Sequence, residues 1–229
     1  MDPTLLTVYK SPYPKIRIGK EYDGGYVMVD VPNATYSLLV ACGISDDISF
    51  EEDFLVKFPE SKCIAFDGTI KSLPTSKADI TFVNKNIGWE NNNSITNLSD
   101  IIYENNSIFL KMDIEGGEIP WIKSLSNKQL NKFEQIVIEF HFPFSNAEIG
   151  IFEKLNANHV LVHFHPNNCC GVRSHRDVII PNVFECTYLH KKFFTSDPDV
   201  NTELIPNSID MKNVLYNDEI FINHTPFVN

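Results

Sequence analysis

Positive charge is scarce in this sequence. Its 19 lysines and arginines face 30 aspartates and glutamates, for a formal net charge of −11 at pH 7. A protein that grips a phosphate backbone needs a basic face, and here Lys and Arg are scattered. Nucleic acid is therefore not an expected partner. Long apolar runs are missing too. No segment approaches the ~20 residues that cross a bilayer, and no membrane partner is expected. The N-terminus has no basic stretch leading into an apolar run, and Pro3, Pro12 and Pro14 interrupt it. No signal peptide is expected, and the chain reads as soluble and cytoplasmic. The five cysteines are Cys42, Cys63, Cys169, Cys170 and Cys186, with no Cys-x-x-Cys pair among them, which removes the usual zinc knuckle. Adjacent Cys169 and Cys170 suit no ordinary disulfide with each other, so reduced thiols are expected.

What is present is an ordinary globular balance, 43% hydrophobic over 229 residues, enough for one α/β domain with length left for a loop insertion. No linker, repeat or charge shift divides the chain. Residues 1–229 read as a single domain, with 1–35 preceding the core sheet and 166–182 forming a long loop. Seven short apolar runs suit strands: Tyr36–Ala41, Cys63–Phe66, Ile80–Val83, Ser107–Met112, Gln135–Phe140, His159–Phe164 and Val183–Leu189. Helical patterns separate most of them. Ser49 with Glu52 reads as a capping box, and Phe50, Phe54 and Phe58 then recur every four residues, as on a helix packed against a sheet. Leu98–Tyr103 reads as a short helix, and Ser126-Asn127-Lys128-Gln129 and Ser145-Asn146-Ala147-Glu148 read as two further helix starts. Alternating strands and helices imply parallel pairing. The last two strands are joined without a helix, so the last should be antiparallel. The expected fold is α/β, a seven-stranded, mostly parallel Rossmann-like sheet with an antiparallel last strand. No Gly-x-Gly-x-x-Gly follows the first strand, which counts against a dinucleotide dehydrogenase.

In such sheets ligands sit beyond the carboxyl ends of the strands. Gly43, Asp67, Asp113, His141 and His165 each follow an apolar run, and together they suggest one pocket. Gly43 lets a turn approach a ligand closely, and Asp67 is placed to accept both hydroxyls of a ribose. Asp113-Ile114-Glu115-Gly116-Gly117-Glu118 gathers three carboxylates within six residues, a repulsive arrangement unless a cation or donors offset it. Asp113 and Glu115 would then face a ligand. A solvated turn at a helix start, where acids also suit the dipole, is the weaker alternative.

These stretches resemble a known group. Arg17-Ile18-Gly19-Lys20 with Asp23-Gly24-Gly25-Tyr26 is similar to the N-terminal signature of FkbM-like methyltransferases. Gly43-Ile44-Ser45 with Ser49-Phe50-Glu51 resembles their first cofactor motif. Lys111-Met112-Asp113-Ile114-Glu115-Gly116-Gly117-Glu118 resembles their Lys-x-Asp-x-Glu-Gly-x-Glu motif. The likeness runs from about Lys15 to Tyr188. It departs at Ala41-Cys42-Gly43, where relatives carry a fuller glycine run, and at Asp67, where many carry Glu. The resemblance implies a methyltransferase using S-adenosylmethionine (SAM), commonly on oxygen, with sugar hydroxyls a recurrent acceptor. It assigns cofactor contacts to Arg17, Asp23, Gly24, Gly43, Phe50, Glu51, Asp67, Asp113 and Glu115.

Removal of a hydroxyl proton needs a base, and histidine titrates near neutrality. His141 and His165 are the candidates, with Asp113 as the third catalytic residue. The same three could instead hold one divalent metal. Asn167, Asn168 and Glu185 could orient a polyhydroxylated acceptor or merely brace the loop. The leading expectation is O-methylation of a small or glycan acceptor. N-methylation of a protein or small amine, and a SAM-binding domain without catalysis, are the alternatives. The sequence gives no indication of oligomeric state.

Overall fold

The computed structural model describes residues 2–144 and 149–229. The expected helix start at Ser145-Asn146-Ala147-Glu148 lies outside the described residues. The chain opens with a hairpin, β1 (Lys15–Ile18) and β2 (Tyr26–Val29), then forms β3 (Leu38–Cys42), α1 (Ser49–Lys57) and β4 (Lys62–Phe66). Next come β5 (Ile80–Val83), the short β6 (Asn86–Ile87) and β7 (Ile95–Thr96), α2 (Ser99–Glu104) and β8 (Ile108–Met112). Then follow α3 (Glu118–Ser124), α4 (Asn127–Leu130), β9 (Phe133–His141), α5 (Ile149–Asn158) and β10 (His159–Pro166). A hairpin of β11 (Val172–His175) and β12 (Val178–Pro181) precedes β13 (Val183–His190).

Seven strands form one sheet in the order β10-β13-β9-β8-β3-β4-β5. The pairs β3–β4, β4–β5, β3–β8 and β8–β9 are parallel, whereas β13 is antiparallel to both β9 and β10. The sheet is mixed rather than mostly parallel, and the reversed strand expected from the sequence is β13. Residues 166–182 are not a plain loop. They carry the β11–β12 hairpin, turned by Arg176 and Asp177 at φ 51 and 63. Tight hairpin turns require such left-handed residues, but glycine or asparagine usually announces them, and here neither does.

Side chains alternate across the sheet as the period of two demands. Leu38, Val40 and Cys42 of β3 join Leu110, Met112, Ile136 and Ile138 on one face, packed with Trp121 and Phe152. Leu39, Ala41, Phe109 and Val137 point to the other face, where Phe50, Phe54, Tyr36 and the hairpin residues Tyr26 and Met28 cover them. Phe54 meets Phe109 at 4.7 Å between ring centroids, and Tyr36 meets Phe58 edge-on at 4.9 Å. The four-residue phenylalanine spacing is thus a packing stripe. Each such ring contributes about 1.5–3 kcal/mol by leaving water.

Two local expectations are corrected. Ser49 is the first residue of α1, not its cap, and Ile48 before it makes no side-chain cap bond. Instead Ser49 Oγ accepts from Lys20 N at 2.8 Å and donates to Asp47 Oδ2 at 3.1 Å, tying the hairpin loop to the helix. The capping box that does form is Ser126 with Gln129, at the start of α4. Cys169 and Cys170 are joined by a disulfide, in an exposed turn where Gly171 at φ +68 supplies a left-handed step; Cys42, Cys63 and Cys186 are free and buried.

Strand β2 is fastened across the sheet by buried polar side chains. Val29 N donates to Gln135 Oε1 at 2.5 Å, Gln135 Nε2 donates to Tyr36 Oη at 2.9 Å, and Thr187 Oγ1 donates to Val27 O at 2.5 Å. A buried amide left unpaired would cost about 1–3 kcal/mol. The C-terminal segment adds only isolated bridges, Tyr9 with Val200 and Ile205 with Ile222, and seats Phe227 on Phe164 at 4.6 Å. No helix among the described residues is long and apolar enough to cross a membrane.

Candidate active site

A cleft of about 400 Å³ opens beyond the carboxyl ends of β3, β4 and β8, a size that suits a small-molecule site. Residues 43–47 after β3, Asp67 and Thr69 after β4, and residues 85–87 after β5 line it. Lys111 and residues 113–115 close its inner end, and Lys20, Asp23, Gly24, Tyr26, Phe50 and Glu51 complete the wall. Asp23, Gly24, Gly43, Phe50, Glu51, Asp67, Asp113 and Glu115 therefore come together from distant parts of the sequence. Arg17 does not line the cleft. Its guanidinium donates to Lys20 O at 2.6 Å and to Tyr22 O, so it braces the β1–β2 loop from behind.

Gly43 has a steric reason to be glycine. It sits at φ +78, and a Cβ there would stand 1.6 Å from the Asp113 carbonyl oxygen. Without a side chain, the end of β3 can lie directly against the Asp113 turn, with Asp113 N donating to Cys42 O at 2.9 Å. Asp67 holds the same turn from the other side. Its Oδ2 accepts from Ile44 N at 2.9 Å and Ser45 N at 2.8 Å, and its Oδ1 accepts from Thr69 N at 2.7 Å and Thr69 Oγ1 at 2.6 Å. Burial raises its pKa, but these donors outweigh it and hold the carboxyl at about 2. A carboxylate offers about four acceptor positions. Asp67 therefore shapes the turn as much as it could receive a ribose.

Lys111 forms the floor. Its Nζ donates to Gly43 O at 2.7 Å, lies 4.0 Å from Glu51 Oε1 and sits 5.3 Å above the Tyr26 ring. Burial raises the pKa of Glu51 and Lys111 opposes that rise. Tyr26 Oη donates to Asp113 Oδ2 at 2.9 Å. Burial, and next the Asp113 charge, push the phenol well above its usual range, so it remains a donor.

Behind Asp113, past the residues that line the cleft, lies a buried acidic row. Register places Glu185 opposite Glu139 and His165 opposite Glu185, and Asp113 directly follows the Met112–Ile138 pair. Like charges facing across strands repel, so this row needs compensation. His141 supplies it. Its Nδ1 lies 3.1 Å from Glu118 Oε1, and its Nε2 lies 3.3 Å from Glu115 Oε2, 3.3 Å from Glu139 Oε1 and 3.8 Å from Asp113 Oδ1. Burial alone would lower the imidazole, but hydrogen bonds with Glu118 and Glu139 raise it to about 10. Glu139 is itself raised to about 8, by burial first and by Asp113 and Glu185 next, against the hydrogen bond from His141. In this setting His141 is an imidazolium at neutral pH and not the neutral base expected.

His165 fares no better as a base. It is 2% exposed and sits between Glu185 at 3.3 Å and Glu219 at 3.6 Å. Burial would lower it, but Glu185 and Glu219 hold it at about 10. Nor does it complete a metal set with Asp113 and His141. Among the described residues, the donor group whose atoms lie within 4.8 Å of one another is Asp113, Glu139 and His141. The antiparallel step from β9 to β13 to β10 carries His165 two strands away from His141.

Of the residues expected to meet an acceptor, Asn167 and Glu185 belong to the acidic row. Asn167 Nδ2 donates to Glu139 Oε1 at 3.2 Å, and Glu185 Oε1 accepts from Asn213 Nδ2 at 2.7 Å. Asn168 has another task. Its amide donates to Val214 O at 2.9 Å and Asn217 O at 3.3 Å, and its Oδ1 accepts from Val214 N at 2.8 Å, pinning the C-terminal segment. That segment also supplies Asp210, 2.9 Å from His163 Nε2. Glu118, Glu139, Lys111 and Tyr26 were not singled out from the sequence as site residues. Glu139 stands two residues before His141, so alternation alone places both on one face.

Residues 17–161 match the family model described as the methyltransferase FkbM domain. No curated protein matches the chain.

Proposed function

This chain belongs to the FkbM methyltransferase family, and we propose that it transfers a methyl group from SAM to a hydroxyl oxygen of a small or glycan acceptor. The observation that carries this reading is the cleft itself, where the glycine turn, Asp67 and the Asp113 turn meet beyond the strand ends. The strand order, with β13 reversed between β9 and β10, fits the Rossmann-like arrangement of class I methyltransferases. Bound SAM would offer an electrophilic methyl group on a sulfonium. Residues 43–45, Asp67 and residues 85–87 would hold its nucleoside part, and Asp23, Tyr26 and Asp113 would face the reacting end.

The chain's own residues then have three tasks. Tyr26 and Gly43 fix the position of Asp113, which is where positioning yields rate. Carboxylates that line the cleft would accept from acceptor hydroxyls, while their charge repels an anionic acceptor. The hydroxyl proton passes to a carboxylate that lines the cleft, Asp113 or Glu115, because both histidines are already protonated near neutrality. The acidic wall would also attract an amine. Nearby carboxylates stabilise the ammonium, which has no lone pair, so they disfavour N-methylation.

The test has two stages. Calorimetry should show SAM and its demethylated product binding with a rise in thermal stability; no interaction with either would remove the cofactor assignment. Incubation with labelled SAM and panels of sugars, phenols, amines and peptides should then label hydroxyl acceptors. Asp113→Asn or Glu115→Gln should slow transfer by about 10²–10⁴-fold with SAM affinity retained. Transfer only to amines would overturn the oxygen assignment, and binding without any transfer would leave a SAM-binding domain.

A further inference from the structure

We propose that Asp113, Glu139 and His141 form a binding site for one divalent cation of the manganese or magnesium class. Three observations carry this. First, Asp113 Oδ1 and Glu139 Oε2 are buried side-chain oxygens without a hydrogen-bond partner, and Glu139 is only 4% exposed. A buried carboxylate oxygen with no donor is costly, and the cost disappears if a cation completes the site. Second, charge is unbalanced. Among the described residues, the ion pairs of Asp113, Glu115, Glu118 and Glu139 all run to the single imidazole of His141.

Third, the tautomer of His141 is fixed from outside. Glu118 Oε1 accepts from Ile114 N at 3.2 Å and Gly116 N at 3.2 Å, so it is held as an acceptor toward His141 Nδ1 at 3.1 Å. Nδ1 therefore keeps its hydrogen, and a bound cation would displace the proton of Nε2, which faces Asp113, Glu115 and Glu139. A carboxylate behind a ligating histidine is the usual support of a metal site. Tyr26 on Asp113 Oδ2 and Asn167 on Glu139 Oε1 orient the other two ligands.

The spacing is compatible. Octahedral coordination at about 2.1 Å puts neighbouring ligand atoms about 3 Å apart and opposite ones about 4.2 Å apart. His141 Nε2 stands 3.3 Å from Glu139 Oε1 and 3.8 Å from Asp113 Oδ1, and one atom of each residue lies within 4.8 Å of the others. Two carboxylates favour a hard ion, and one imidazole tilts the choice toward manganese. Asp113 and Glu115 also line the cleft, so a cation here would stand where an acceptor hydroxyl arrives. That last role rests on the proposed methyl transfer, whereas the binding site does not.

The experiment uses the full chain, stripped of metal by chelation and dialysis, with no SAM present. Mn²⁺ titrated in and followed by the paramagnetic resonance of the free ion should bind one per chain, with a dissociation constant on the order of 10⁻⁴ M or tighter. Glu139→Gln and Asp113→Asn, checked for folding by circular dichroism, should each weaken it at least tenfold. In the wild-type protein, bound Mn²⁺ should broaden the His141 ring resonances, a readout that needs no variant. Absence of Mn²⁺ binding, or binding that leaves His141 sharp and is unchanged in Glu139→Gln, would overturn the proposal. Failure of SAM to bind would leave it standing, so the two readings fail separately.

Discussion

Replacement of Lys111 by Met removes the cation that faces Glu51 while nearly preserving volume. Glu51 is 1% exposed, and its partner Nζ lies 4.0 Å away. Breaking a buried pair by deleting one member costs about 3–5 kcal/mol. The long separation puts this case near the lower end, and the donor lost from Gly43 O adds about 1 kcal/mol. The expected loss is about 3–5 kcal/mol, or about 6–20 °C in melting temperature for a chain of this size. Urea denaturation at pH 8 reads it. The loss should depend on pH. Burial raises the Glu51 pKa and Lys111 restrains it, so without Lys111 the folded-state value climbs further above the unfolded one. A carboxyl raised in the folded state is harmless below its unfolded pKa and destabilising as pH rises toward the folded one. The Lys111→Met penalty should therefore grow between pH 5 and pH 8. The double variant Lys111→Met/Glu51→Gln should recover most of it. Equal penalties at both pH values, with no recovery in the double variant, would refute the buried-charge argument.

Asp67→Ala should lower SAM affinity about tenfold or more. It should also destabilise the free protein by about 1–3 kcal/mol, because Ile44, Ser45 and Thr69 lose their acceptor; unchanged stability and affinity together would show that Asp67 neither holds the turn nor meets a ligand. His165, held at about 10 against an ordinary value of 6.5 by Glu185 and Glu219 and next by Asp210, contributes stability that is complete below pH 6.5 and lost as pH rises toward 10. His165→Gln should flatten the fall in stability between pH 7 and pH 10, measured by chemical denaturation; parallel slopes would contradict the ion-pair assignment. Duplex DNA and RNA should not bind at physiological salt, given a net charge of −11, and a strongly salt-dependent shift in a gel titration would overturn this.

How much of this could be read in advance depended on whether the signal was local. The runs that became β3, β4, β5, β8, β9, β10 and β13 are dense in apolar and β-branched residues, and each strand was found within a few positions. Gly43, Asp67 and Asp113 followed from the rule that ligands gather beyond strand ends. What escaped depended on pairing across distance. Arg17 looks like a ligand-binding cation until the β1–β2 loop folds its carbonyls around it. Asn168 looks like an acceptor contact until the chain returns 46 residues later to use its amide. Ser49 had the spacing of a cap, but Asp47 took that end of the helix first, accepting from Ser49 N at 3.1 Å.

The acidic row shows most clearly why a site can be half legible. Alternation along β9 is a local rule, and from His141 it places Glu139 and Gln135 on one face. Nothing local says that Glu185 on β13 falls opposite Glu139, because that register joins strands more than 40 residues apart in sequence. A slip of one residue in that register would exchange Glu185 for Phe184 or Cys186, which now fill the opposite core. Burying Glu185 beneath the helices would cost far more than any ordinary core rearrangement, so the apolar face of β13 fixes the position of its charged one. The chemistry at the end of the cleft is thus held in place by phenylalanines on the far side of the sheet. Packing residues, read as the least functional part of such a sequence, determine which carboxylates can meet.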